Sequence, residues 1–182
     1  MIGYALCGSF CTHARAVDTL RVLRARGHEI LPIVSEIVYE TDTRFGRAED
    51  LIRELESICG RKTVHTIAAA EPLGPKTPLE LLIIAPCTGN TLAKMANGIT
   101  DTAVTMAAKA QLRADRPVLL GLASNDALSA NLQNIAALHT RRHITFAPMA
   151  MDDKIGKPYS LVCDFTAIPD LAESVLKTHM RP

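Results

Sequence analysis

The chain has 182 residues, room for a single domain of ordinary size (1–182), and its 48% hydrophobic and 21% charged content suits a protein folded around its own core. Twenty Lys and Arg stand against 19 Asp and Glu, a formal net charge of +1, so no strong field draws the chain to nucleic acid or to an anionic membrane. No Trp is present to help build a stacking platform for single strands, and no apolar run reaches the roughly 18 residues of a membrane span. The run Met1–Cys7 lacks the basic flank of a secretory signal. The cysteines, at 7, 11, 59, 87 and 163, are odd in number and form no Cys-x-x-Cys pair. They read as free thiols of a reducing cytoplasm rather than as a zinc site.

In chain order, Ile2–Leu6 is a short apolar strand that ends at Cys7-Gly8-Ser9. A helix follows, with Ala16, Leu20 and Leu23 on one face and Gly27-His28 as its stop. Glu29–Val34 is a second strand closed by Ser35, and Glu49–Ile58 a helix with Leu51, Ile52, Leu55 and Ile58 on one face. Thr63–Ile67 reads as a third, short strand. The stretch Glu71–Pro78, with prolines at 72, 75 and 78, excludes regular structure because each proline lacks a donor and fixes φ. Leu79–Ala85 is a nearly continuous apolar strand, suited to the centre of a parallel sheet and ended by Pro86. Thr91–Ala96 is helical and stops at Asn97-Gly98, and Thr100-Asp101 caps a helix over Thr102–Leu112. Pro117–Leu122 is a strand, Leu128–Leu138 a helix, Ile144–Ala147 a final strand and Asp170–Lys177 a last helix.

Strand and helix alternate throughout, which predicts an α/β fold with a mainly parallel sheet and helices on both faces. Ligands of such sheets bind beyond the carboxyl ends of the strands. Four strand ends carry small polar residues: Gly8-Ser9, Ser35, Pro86–Thr91 and Ser124-Asn125. Each alone is ordinary turn chemistry. Together they mark a candidate pocket. Gly8 permits a tight turn, and Ser9 and Thr12 can bond an anion or cap the helix. Neither Gly-x-Gly-x-x-Gly nor a Gly-Lys-Ser/Thr loop is present, which argues against a dinucleotide site and a nucleotide triphosphatase.

The segment Pro86-Cys87-Thr88-Gly89-Asn90-Thr91, running on through Asn97-Gly98 to Asp101, resembles the signature of a flavoprotein family. That family comprises homo-oligomeric FMN-dependent cysteine decarboxylases and flavin prenyltransferases. Its usual core is Pro-Ala-Ser-Ala-Asn-Thr. Here Pro86, Asn90 and Thr91 are kept, while Cys87, Thr88 and Gly89 stand where Ala, Ser and Ala are common. The resemblance extends over most of the chain. It implies a three-layer Rossmann-like (flavodoxin-like) fold, FMN as cofactor and a trimer or dodecamer. It further implies that Gly8, Ser9, Thr12 and Ser35 meet the cofactor, that Thr88 and Thr91 bond its phosphate or ribityl chain, and that Asn90, Ser124 and Asn125 face the flavin or substrate. Ala70–Lys76, Thr100-Asp101-Thr102, Ser124-Asn125-Asp126 and Asn134-Ile135 are most similar, within the family, to one component of a cytoplasmic oxidoreductase of spore-forming bacteria. That component works beside a nicotinamide-binding partner on a small dicarboxylate.

Two departures matter. Pro78-Leu79-Glu80-Leu81 occupies the place of the decarboxylases' essential His motif, and no Met clamp is recognisable at Met149 and Met151. Asn125-Asp126 stands where the prenyltransferases carry Glu and Arg. The catalytic residues are therefore not identified, and a binding or scaffold subunit with a vestigial FMN pocket remains an alternative, as does an unorthodox decarboxylase. Cys87, Asp101, His13, Lys76, Lys94, Lys109 and the basic run His139-Thr140-Arg141-Arg142-His143 each have a chemical reading beside a plainer one. The plainer readings are a buried thiol, a helix cap, a solvated first-turn side chain, surface charges and a solvated turn.

Overall fold

The computed structural model describes residues 1–74 and 76–179. Strand β1 (Ile2–Leu6) leads through a 3₁₀ turn into α1 (His13–Ala25), then β2 (Ile30–Val34), α2 (Glu36–Glu40), α3 (Ala48–Cys59) and α4 (Ile67–Ala70). Next come β3 (Leu81–Cys87), α5 (Gly89–Ala96), α6 (Ala103–Arg113), β4 (Val118–Ser124) and α7 (Leu132–His139). The chain continues through β5 (Ile144–Phe146), β6 (Met149–Ala150), β7 (Leu161–Cys163) and α8 (Ile168–His179). The parallel part of the sheet has the order β2-β1-β3-β4-β5. The start of β4 pairs β5, and its last residues, Ala123 and Ser124, pair antiparallel with β7, which in turn pairs β6. This is the doubly wound arrangement predicted from the alternation, and its order reverses between β1 and β3.

Side-chain alternation builds one core on each face. Ile2, Tyr4 and Leu6 of β1 and Leu81, Ile83 and Ala85 of β3 pack under α1, α3 and α8. Ala5, Cys7, Leu82, Ile84 and Cys87 point the other way, beneath α5 and α6. Both central strands are buried along all seven residues, as uninterrupted apolar runs require when helices cover both faces. Gly121 is needed where β4 meets the α8 face: a Cβ there would lie 2.8 Å from Ala85 Cβ and 3.0 Å from Cys163 Sγ.

The structure corrects several sequence expectations. Thr63–Ile67 is not a strand: Val64 makes a single bridge to Ile33, and Thr66 then caps α4 by accepting from the Ala69 N–H, turning the chain away. Glu71–Leu73 forms a 3₁₀ turn, since Pro72 sits in its first turn, where a missing donor costs nothing. Pro75 lies outside the described residues. Pro86 does not end β3. The register slips between Ile84 and Cys87, accommodating the missing N–H, and Cys7 N–H still donates to the Pro86 carbonyl. Thr102, not Thr100 or Asp101, caps α6, in a reciprocal pair with Thr105. Helix α7 starts at Leu132 rather than Leu128 because the Asp126 carbonyl accepts from the Ser129 and Asn131 N–H groups and holds the intervening residues in a turn. Ile144–Phe146 is not the final strand, as β6 and β7 follow, and α2 was not foreseen.

Candidate functional site

The loops after β1, β3 and β4 converge on one cleft of about 570 Å³ at the carboxyl end of the sheet, around the point where strand order reverses. Of the residues singled out from sequence, Gly8, Ser9, Thr12, Thr88, Asn90, Ser124 and Asn125 line it. Thr91 and Ser35 do not line it, and both are buried.

Each loop is shaped by its own residues. After β1, Thr12 turns the chain by donating its hydroxyl to the Ser9 carbonyl at 2.7 Å. A Cβ on Gly8 would already press on Ile37 Cγ2 at 3.2 Å. After β3, Thr88 caps α5 by accepting from the Thr91 N–H, and its hydroxyl lies 3.2 Å from that of Thr91. Thr91 reaches back to Cys7 Sγ at 3.3 Å, tying the β3 loop to the end of β1. After β4, Ser124 Oγ and Asn131 Nδ2 both donate to Asp126 Oδ1, the latter at 2.9 Å. These bonds, that of Ser124 foremost, hold the Asp126 carboxyl below its ordinary range. The side chains of Ser9, Asn90 and Asn125 make no protein hydrogen bond among the described residues and so remain open to a ligand.

Ser35, at the end of β2, has a buried Oγ without a partner, although its N–H is bonded to Leu6. A buried hydroxyl left so is costly and normally finds an acceptor or donor.

The remaining candidates fall elsewhere. His13 is not a solvated helix residue: it is buried, with Nε2 2.9 Å from the Cys7 carbonyl, and burial pushes its pKa down. It pins the β1 turn from behind. Cys87 is fully buried and its thiol is pushed well above the ordinary value by desolvation, while that of Cys7 is pushed up to about 11. Neither is a ready nucleophile. Asp101 pairs with Lys94 at 2.9 Å instead of capping a helix. Arg141 closes the end of α5 by donating to the Met95 and Ala96 carbonyls, and His143 bonds Asp115. That basic run precedes β5 and lies at the opposite end of the sheet, and neither it nor Lys76 or Lys109 lines the cleft.

Sequence reasoning passed over Arg15, Arg44, Asp126, Asp152 and Lys157, which also line the cleft. Asp126 was legible as the third residue of Ser124-Asn125-Asp126. Asp152 and Lys157, paired at 3.4 Å, carry no local signal because they arrive with the unforeseen β6–β7 connection. Among the described residues no histidine lines the cleft. Among the described residues no group of three His, Cys, Asp or Glu is placed to hold a metal ion, and no helix is long and apolar enough to cross a membrane.

Known proteins resemble this chain in sequence and in fold. Over 175 residues the chain is 41% identical to the B subunit of dipicolinate synthase of Bacillus subtilis (strain 168), covering 96% of this chain and 88% of that one. The crystal structure of the B subunit of dipicolinate synthase from Bacillus halodurans C matches with a TM-score of 0.88 at 40% identity, over 97% of this chain and 90% of the other. A dodecameric FMN-dependent Ubix-like decarboxylase from Escherichia coli O157:H7 shares the fold, with a TM-score of 0.63 at 21% identity over 84% and 83% of the two chains. The family model described as Flavoprotein matches residues 2–177, and the chain belongs to that family.

Proposed function

We propose that this chain is the FMN-binding subunit of a dipicolinate synthase. In this reading it takes part, in the cytoplasm and during sporulation, in oxidising a dihydrodipicolinate-type precursor to dipicolinate. Its partner is the nicotinamide-binding A subunit of dipicolinate synthase. The observation that carries the reading is the convergence of three strand-end loops on one cleft, in a chain so similar to one component of that enzyme.

The residues present fit a flavin mononucleotide. Ser9, Asn90 and Asn125 offer the cleft polar side chains with no protein hydrogen bond among the described residues, and the Gly8 turn lets a ligand approach the backbone. Gly8, Ser9, Thr12 and Ser35 would meet the phosphate end. Thr88 and Thr91 would bond the ribityl chain: their protons already go to Thr91 Oγ1 and Cys7 Sγ, and each keeps a lone pair that can accept from a ribityl hydroxyl. Asn90, Ser124 and Asn125 would face the ring or the dicarboxylate substrate. FMN, when bound, supplies a hydride or electron acceptor. The protein supplies orientation: Thr91 fixes the β3 loop to β1, and Asp126 with Ser124 fixes the β4 loop.

A second reading is favoured by the absence of histidine from the cleft: the chain binds cofactor or substrate and its partner performs the proton transfers. Decarboxylation of a cysteinyl substrate by the isolated chain would establish a third.

Absorption spectra before and after FMN addition and gel filtration test the cofactor. Retained blue-light absorbance near one flavin per chain is expected, and its absence with the fold intact overturns the FMN assignment. Dipicolinate formation only when both subunits are present supports the oxidoreductase. Formation by the partner alone at the same rate overturns it. The assembly proposed is a trimer or dodecamer, and a monomer by light scattering removes it.

A further inference from the structure

Asp126 differs from the other carboxylate of the cleft. Asp152 is matched by Lys157, whereas Asp126 has no cation within ion-pair distance among the described residues. Its Oδ1 accepts from Ser124 and Asn131, and Asn131 is steadied in turn by Asn134 Nδ2 at 2.9 Å. Its Oδ2 takes no hydrogen bond from the described residues. The space for this arrangement comes from Gly89. A Cβ there would lie 2.5 Å from both Asn131 Nδ2 and Ser124 Oγ and 2.8 Å from Asp126 Oδ1. The alanine common at this place in the family motif is therefore incompatible with the cluster as it stands.

Neutral donors hold this carboxyl in its charged form, with Ser124 the larger influence. General-base work calls for a pKa near the working pH, so a fixed hydrogen-bond acceptor suits the group better than a proton shuttle. An unpaired carboxylate also repels phosphate. The anionic end of a ligand then belongs away from β4, toward Arg15 and Arg44, which line the cleft and form no ion pair with a carboxylate among the described residues. What remains for Asp126 is a donor at the far end of the ligand. The ring of an oxidised flavin carries a single N–H donor, that of its imide.

We infer that Asp126, seated in the room left by Gly89, orients the ring of bound FMN by accepting a hydrogen bond from the imide N–H. The inference rests on the FMN reading above and adds the residue that sets the ring's position. Asp126→Asn is the sharp test. Ser124 and Asn131 both donate to Oδ1, so the amide oxygen of the variant stays with them and its NH₂ faces the cleft, a donor opposed to a donor.

Fluorescence titrations of wild type and Asp126→Asn with FMN and with 3-methyl-FMN, which lacks the imide N–H, read the contact directly. A hydrogen bond to a charged acceptor predicts that wild type prefers FMN by roughly 10–100-fold. The variant loses FMN affinity by about the same factor and shows no preference, with its thermal midpoint little changed. Equal FMN affinity in wild type and variant, or a wild type indifferent to the methyl group, overturns the inference and leaves the FMN reading standing. A folded wild type that binds neither flavin overturns both. If the variant fails to fold, a wild type indifferent to the methyl group still overturns the inference.

Discussion

The two ends of the sheet carry polar clusters of similar composition with opposite consequences. At the carboxyl end, Ser9, Asn90, Asn125 and one oxygen of Asp126 face a cleft without protein partners. At the amino end, Asp115, Arg142, His143 and His179 bond one another. His143 lies 2.6 Å from Asp115 and 3.2 Å from His179, and Arg142 lies 3.7 Å from Asp115. Arg141, beside them, is engaged with the end of α5. A charge-rich stretch is therefore no guide to function until its bonds are counted. The amino-end groups satisfy each other, whereas those at the carboxyl end leave capacity for something else.

The contrast can be broken most forcefully at Gly89. Gly89→Ala drives a methyl into Ser124 and Asn131, and overpacking of this kind costs about 1–3 kcal/mol. Chemical denaturation should show that loss, and FMN titration should show weaker binding as the Asp126 cluster is displaced. An unchanged affinity would mean that the cluster has no part in the cleft. A smaller effect is expected at His13, behind the cleft. Its pKa is lowered by burial, so the unfolded chain takes up a proton at higher pH than the native one. Stability should accordingly fall as pH drops below the unfolded value of about 6.5, and continue to fall down to the native pKa. Thermal midpoints between pH 7.5 and 5 should show this decline in wild type and a shallower one in His13→Gln. Parallel curves would assign the acid sensitivity elsewhere. The smallest effect belongs to the amino end. Asp115→Asn removes an exposed ion pair with Arg142, of the class worth about 0–1 kcal/mol, so FMN affinity should not change and stability only slightly. A marked loss of flavin binding in that variant would erase the distinction between the two ends.

How far each end was legible follows from the range of the forces involved. The Gly8 turn, the Thr88 cap and the Ser124-Asn125-Asp126 segment are written in neighbouring residues, and the carboxyl ends of strands are where ligands of such sheets sit. The role of Gly89 was not legible, because the atoms it must avoid belong to residues 124, 126 and 131. His13 looked like a solvated first-turn residue, since nothing local reveals that the Cys7 carbonyl and Phe10 enclose it. The basic run at 139–143 read as a solvated turn in preference to a dicarboxylate contact, and its place at the amino ends of the strands supports the turn.

The sequence by itself determined the alternation of strand and helix, the two largely apolar central strands and the polar strand ends. Those depend on local pattern, backbone donors and the period of side-chain burial. It also carried the family, through the run from Pro86 to Asp101. Tertiary structure alone decided which polar groups are engaged and which are open. It left Ser35 without a partner, seated the Asp126 cluster against Gly89, and brought Asp152 and Lys157 to the cleft from a distant connection. A hydrogen bond or a steric exclusion acts over a few ångströms of space, whatever number of residues separates its partners along the chain.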